Sequence, residues 1–554
     1  MNAPKRNAVL RRWYGSSRAV RAALLGCFAA GFFGHLFAIT NLIPNPDGIS
    51  RVYDLQQMTV SGRWFLHYAS LWHGYVQAPA VIGFFALLFL SCAAALTVSL
   101  LRVRSALTGG LCGALMALFP TVAYTFLYLF TASAYCFGLL LAVLAVWLAV
   151  RYRCGWLFAA PLLACAVGTY QAYLAAAASL ALIHVVLCAL EGTQTAKELF
   201  LRALRMLGLL AVGLALYFCI LCVFLWAKDL TLLNYKGIGE LGGGLGGLLS
   251  GVAAAYRTFF SYFFLPRRFA AYNTPATAVF HAVLAAAALW SFIRLVRRRR
   301  CTARPGAFAL TLFFCALLPL ALNLTVLMGE AMPLMRYALV FTYLLALTLA
   351  ERAAAPEEGE RPRAEAEPDP DAEARQTPAK AGGKLLGPLP RIAALCASVL
   401  ICIACFQTDN LAYTVSATAH RSSESFATRL VSRVESAPGY RNGMKVLIVG
   451  GFPIDVYHSR LEVFRLVSDY SSPSSAVIPL NKHIYCYLND WLNVPWEEPG
   501  EAELMAASES AIFKSMPLYP DEGSVLVIGD RVLVKLAETY VPRQDYEIAY
   551  ENRR

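Results

Sequence analysis

The chain has 554 residues, 58% of them hydrophobic, and a mean hydropathy of +0.54. Apolar runs of roughly 17–25 residues recur along it, the length an α-helix needs to cross a bilayer; this excludes an ordinary soluble enzyme and predicts a polytopic membrane protein. The net charge of +13 is no nucleic-acid footprint: outside residues 351–390 and 410–554 the chain carries 28 basic and 8 acidic side chains, the basic ones mostly clustered between apolar runs, where they set orientation.

Residues 1–21 contain Lys5, Arg6, Arg11, Arg12, Arg18 and Arg21 ahead of an apolar run at about 22–43. No small-residue cleavage site closes that run, which predicts an uncleaved first span with a cytoplasmic N-terminus. Residues 41–75 then lie outside. This stretch is polar, aromatic and charged, with Asp47, Arg51, Asp54, Arg63, His67 and His73, and is longer than a simple connection needs to be.

A second span at about 77–101 returns to Arg102 and Arg104. The third (106–127) and fourth (131–150) flank an outer turn at Leu127-Tyr128-Leu129-Phe130-Thr131. The fifth (155–169) and sixth (171–190) bracket Gly168-Thr169-Tyr170-Gln171-Ala172-Tyr173, also outside. An amphipathic segment at 197–205 lies inside, and a seventh span (206–227) leads out to residues 228–275. There a glycine-rich piece, IGELGGGLGG, and an aromatic one, YRTFFSYFFLPRRFAAY, read as an interfacial or re-entrant element. The eighth span (276–293) ends on Arg294, Arg297, Arg298, Arg299 and Arg300. A turn with Gly329, Glu330 and Pro333 joins the ninth (306–327) to the tenth (335–350).

Residues 1–350 are thus expected to form a multispan membrane core, the part that would carry any catalytic role. Residues 351–390, rich in Ala, Pro and Glu, predict a disordered cytoplasmic linker, because such a composition cannot offset the entropy of ordering. An eleventh span (391–409) leads to an extracytoplasmic α/β domain at 410–554. Its expected parts are a helix at 411–435 and strands at 445–450, 525–528 and 532–536, the last two around a Gly529-Asp530 turn. Gly450-Gly451 after the first strand lacks dinucleotide spacing. All of the fifteen cysteines except Cys486 lie in or beside apolar runs, so residues 410–554 hold no internal disulfide and no zinc framework is indicated.

Elimination narrows the chemistry. The eight acidic residues of the membrane part are Asp47, Asp54, Glu191, Glu198, Asp229, Glu240, Glu330 and Asp409. Glu191 and Glu198 lie inside, beside basic residues, and Asp409 reads as a helix cap opening the exported domain. Asn45 as cap, Pro46 and Asp47 read as a helix start that would set Asp47, Arg51 and Asp54 on one face. The aspartates would then be roughly 10 Å apart along the axis, too far to share a metal, and the residues alone fit a structural ladder as well as a catalytic pair. Arg63 and Trp64 suit either a lipid phosphate headgroup or an arginine snorkelling beside an aromatic belt. His35, His184 and His281 read as hydrogen-bonded core residues, and His67 and His73 lack zinc-pair spacing.

The NPDG and SGRWF motifs of the first loop, the later GTYQAYL, MPLMRY near the last core helices, and QTDNLAY ahead of KVLIVGG resemble the bacterial O-antigen glucosyltransferase family associated with serotype conversion. The resemblance runs over most of the chain outside the linker. That family is grouped with the type C glycosyltransferases, so the resemblance implies a GT-C-like fold in the bacterial inner membrane. It further implies transfer of glucose or a related hexose from a polyprenyl-phosphate donor to a surface polysaccharide on the outer face. On that reading Asp47 is the base, with Asp54 as the alternative, and Arg63, Arg336 or Arg51 meets the donor phosphate. Tyr170, Gln171, Trp64, Lys236 and Glu330 contact substrate; no cofactor is expected, a divalent metal is not indicated, and the partners are donor, acceptor glycan and bilayer. The charged linker and residues 228–275 depart from a compact member of the family. The other readings are transfer of a different sugar, a transporter or flippase of lipid-linked sugars, and a noncatalytic surface scaffold.

Overall fold

A computed structural model describes residues 17–232, 244–266, 272–328, 332–355, 389–452, 461–467, 477–478 and 481–540. The linker at 356–388, the glycine-rich residues before 244, Lys236, Glu240, Arg267, Arg268 and Glu330 lie outside the described residues.

The helices are α1 (Arg18–Thr40), α2 (Pro79–Leu101), α3 (Ala106–Leu118), α4 (Pro120–Leu127), α5 (Leu129–Arg151), α6 (Trp156–Thr169), α7 (Tyr173–Ala189), α8 (Ala196–Ala227), α9 (Gly244–Phe264), α10 (Pro275–Arg298), α11 (Pro305–Leu322), α12 (Val340–Ala354) and α13 (Leu389–Glu435). Eight described helices are long and apolar enough to cross a membrane, or nine with α3 and α4 taken as one bent span, and α6 and α7 are shorter apolar helices. The chain is a mostly helical, polytopic membrane protein. Each of the eleven sequence-predicted spans has a helix at its place.

Local chemistry explains the departures. The third span breaks at Phe119 with a 40° bend, because Pro120 supplies no N–H and drives the preceding residue out of helical geometry; Phe119 is extended, at φ −60° and ψ 133°. The amphipathic segment at 197–205 is continuous with the seventh span, since Thr195 and Glu198 form a capping box that starts one 32-residue helix. The segment expected to be interfacial contains α9, 21 residues long.

Close helix contact rests on small residues. Gly109 and Gly113 of α3 face α1 so closely that an added Cβ would lie 2.3 Å from the Ala19 carbonyl oxygen or 2.2 Å from that of Ala23. Such spacing lets backbones pack where lipid supplies no hydrophobic drive.

The core histidines are hydrogen bonded, as expected. His35 meets Tyr413 at 2.8 Å and the Ala117 carbonyl at 2.9 Å; His281 meets Tyr343 at 3.0 Å and the Phe263 carbonyl at 2.8 Å. His184 lies 3.4 Å from Arg202.

Asp409 is not a cap. It lies inside α13, a single 47-residue helix that fuses the eleventh span to the helix expected at 411–435. It is fully buried, and neither carboxylate oxygen has a hydrogen-bond partner among the described residues.

Beyond α13 a three-stranded sheet runs in the order β1 (Lys445–Val449), β3 (Arg531–Lys535), β2 (Val525–Ile528), with β1 parallel and β2 antiparallel to β3. The β2–β3 turn holds Gly529 at φ +61°. Alternation along the strands covers both faces. Val446, Ile448, Val532 and Val534 pack with Phe426, Leu430 and Val434 of α13. Leu447, Val449 and Leu533 pack with Leu504, Phe513 and Met516.

Candidate active site in the first loop

Residues 45–54 fold into turns, not a helix. Asn45 does cap, its side-chain oxygen accepting the Gly48 N–H at 2.6 Å, but the coil stops after one turn. The buried side-chain amide of Gln77 donates to the Gly48 and Arg51 carbonyls at 2.8 and 2.9 Å, which diverts two acceptors that a helix would use. The chain then extends, and Tyr53 bridges Val76. The expected Asp47–Arg51–Asp54 ladder on one helical face is therefore absent.

The two aspartates have different surroundings. Asp54 accepts from Arg51 at 2.6 Å and from the Gln56 N–H at 2.8 Å, while the Arg51 guanidinium covers the Phe130 ring at 5.0 Å. Asp54 and Arg51 are thereby occupied in holding the loop. Asp47 is exposed and makes no hydrogen bond or ion pair among the described residues. Of the other described acids between residues 36 and 349, Glu191 pairs with Arg102, Glu198 caps α8, and Asp229 is exposed past the end of α8.

The SGRWF and GTYQAY motifs interlock. Met58 and Arg63 form a bridge around Gly62, whose φ is +78°. The Gln171 amide donates to the Ser61 carbonyl at 2.8 Å, the Tyr217 hydroxyl donates to the Gly62 carbonyl at 3.0 Å, and the Phe65 N–H donates to the Gly168 carbonyl at 2.9 Å. A Cβ at Gly168 would lie 2.6 Å from the Trp64 indole, so only glycine fits there.

The Arg63 guanidinium lies 5.2 Å from the centre of the Tyr170 ring, whose stack continues on Tyr135 at 4.6 Å. Trp64 is buried and stacks on Phe224 of α8 at 5.8 Å, and its indole N–H has no partner among the described residues. The structure thus brings together Arg63, Trp64, Tyr170 and Gln171. Tyr217 and Phe224 join them without a sequence signal, because each looks like one more aromatic in an apolar span.

His67 is structural. Its Nδ1 lies 2.7 Å from the Leu55 carbonyl, and its Nε2 is 3.3 Å from the Tyr75 hydroxyl. His73 binds Ser133 at 2.8 Å, and burial holds its pKa down to about 4. Arg336 sits elsewhere in the chain, following the turn Pro333–Met335, whose Pro333 carbonyl accepts from Thr121 at 2.9 Å. Among the described residues no three His, Cys, Asp or Glu side chains are placed to share a metal ion.

The family model described as Glucosyl transferase GtrII matches residues 36–349, from the end of α1 through the loop to α12. The chain belongs to this family. Comparison with curated proteins and with solved structures finds no match. The GtrII match spans NPDG, SGRWF, GTYQAYL and MPLMRY, and so every sequence-predicted site residue. GtrII membership makes the chain a glucosyltransferase, and the matched segment ends before α13 and the sheet.

Proposed function

We propose that the protein transfers glucose, or a related hexose, from a polyprenyl-phosphate donor to a polysaccharide acceptor on the extracytoplasmic face of a bacterial inner membrane, through a GT-C-like core. The observation that carries this reading is the exposed Asp47, unpaired among the described residues, in the same folded loop as Arg63, within a family of glucosyltransferases. Asp47 takes the proton of the acceptor hydroxyl as its oxygen attacks the anomeric carbon, and the polyprenyl phosphate leaves. Arg63, aligned by Tyr170, meets the departing phosphate, with Arg336 as a second cation and Arg51 retained by Asp54. Trp64 and Gln171 shape the sugar site, and the unpartnered Trp64 N–H offers a donor to a sugar hydroxyl. Lys236 and Glu330 remain proposed substrate contacts. The test is transfer of radiolabel from polyprenyl-phosphate glucose into membrane glycan. No label transfer from any polyprenyl-phosphate sugar by correctly folded protein would overturn the reading.

One observation favours a second reading, a transporter of lipid-linked sugars: Asp409 within α13, buried and unpartnered among the described residues, since ionisable groups inside bundles often mark transport paths. Asp409→Asn that abolishes sugar-lipid movement in the absence of any label transfer would select it.

A further inference from the structure

The C-terminal part of the chain meets the loop beside Asp47, and this contact gives that part a role. Ile49, two residues after Asp47, is fully buried, and not in the membrane bundle: it belongs to the cluster formed by Phe426, Leu430, Ile484 and Leu488. The indole N–H of Trp491 donates to the Ile49 carbonyl at 2.8 Å. Trp491 is itself fixed, stacked parallel on Tyr487 and edge-on to His420. From the other side, Gln77 holds the carbonyls of Gly48 and Arg51. The backbone around Asp47 is therefore gripped between two bodies, one of them outside the segment that matches the family.

We infer that Ile49 and Trp491 are positioning residues for Asp47, and that the apolar cluster holding Ile49, on the side of the sheet away from Leu533, is part of the active-site assembly. The inference rests on the proposed role of Asp47 as base. A base acts only within hydrogen-bond reach of the proton it removes, and a 1 Å displacement costs about a hundredfold in rate. Asp47 is exposed and has no side-chain partner of its own among the described residues, so its position depends on the main chain on either side of it. Downstream, that main chain is held by Ile49 in an apolar socket and by one indole hydrogen bond. Among the described residues no hydrogen bond joins the Asp47 carboxylate to either residue, and the effect is expected on the chemical step and not on donor affinity.

The test measures label transfer from polyprenyl-phosphate glucose by the full chain in membranes, across a range of donor concentrations. Ile49→Ala is expected to lower the maximal rate about 10- to 100-fold, and Trp491→Phe roughly tenfold, both with donor KM unchanged. Ile49→Val, which refills the socket, is expected to restore most of the rate. Leu533→Ala, in the cluster on the opposite face of the sheet, is the folding control and is expected to keep the wild-type rate per folded molecule. A wild-type rate in both Ile49→Ala and Trp491→Phe overturns the inference alone. So does an equal fall in Leu533→Ala, which would reduce the contact to general support of folding. Absence of transfer by the wild type overturns the functional reading first, and the positioning role with it.

Discussion

The side-chain amide of Gln171 donates to the main-chain carbonyl of Ser61 across 110 residues of sequence at 2.8 Å. This bond fixes the first loop onto the α6–α7 turn, and the Tyr217 hydroxyl on the Gly62 carbonyl ties the loop to α8. It makes the two polar motifs one structural unit, so disturbing either should disturb both.

Gly62→Ala is expected to be destabilising. At φ +78° any side chain is strained, and an added Cβ would lie 2.6 Å from the Tyr217 hydroxyl and 2.7 Å from the Gln171 amide. A loss of about 1–3 kcal/mol is expected from the backbone alone, seen as a lower thermal midpoint in detergent. Gln171→Leu, which removes the bond but keeps the bulk, should cut transfer while leaving the midpoint within a few degrees.

Asp47 and Asp54 should separate cleanly. Asp47→Asn is expected to lower transfer by about 10²–10⁴-fold, the usual contribution of a general base, with no change in thermal midpoint. Asp54→Asn should do the reverse. It leaves Arg51 beside Phe130 without its carboxylate, lowering stability by about 1.5–3 kcal/mol and activity less than tenfold. Asp229→Asn, at an exposed carboxylate past α8, serves as the matched control and is expected to behave as wild type.

Arg63→Lys tests geometry against charge. Lysine keeps the cation but loses the planar group that lies over Tyr170 and whose geometry suits a two-point hold on the phosphate of the proposed donor. The apparent KM for the donor is expected to rise roughly tenfold or more, since one well-placed charged contact is worth about 1.5–3 kcal/mol. A rise in acceptor KM instead would assign Arg63 to the other substrate.

His73 should make the loop sensitive to acid. Its folded pKa is held down to about 4 by burial, against an ordinary 6.5. The unfolded chain therefore takes up a proton below about pH 6.5 that the folded chain refuses until about pH 4. The stability tied to this neutral side chain is complete above pH 6.5 and lost as pH falls toward 4. His73→Asn, which keeps a partner for Ser133, should show a smaller drop in thermal midpoint between pH 7 and pH 5 than the wild type.

Much of the bundle was legible because hydropathy over one helix length is a local property. The positions of the helices and the strand at Lys445 follow from neighbours in sequence. The turn at Asp47 did not, because the Gln77 amide that captures the Gly48 and Arg51 carbonyls comes from the far end of the loop. Asp409 misled for a similar reason: an acid at the edge of an apolar run looks like a cap unless the helix is known to continue through it. Arg63 and Trp64 could be named as candidates from the loop itself, and Tyr170 and Gln171 from the resemblance of their motif, whereas Tyr217 and Trp491 could not. Their contributions are set by folds of the chain 155 and 442 residues away from their hydrogen-bond partners.

The uninterrupted length of α13 fixes a rotational phase. Its 47 residues measure ~70 Å at 1.5 Å per residue, more than twice the ~30 Å hydrocarbon layer, and the same rod carries Asp409 at one level and Phe426 at another. One residue added between those levels would turn everything beyond it by ~100° and lift it by ~1.5 Å, swinging Trp491 away from Ile49. In this part of α13 the chain has no freedom of length: the register of the helix is what aims the sheet.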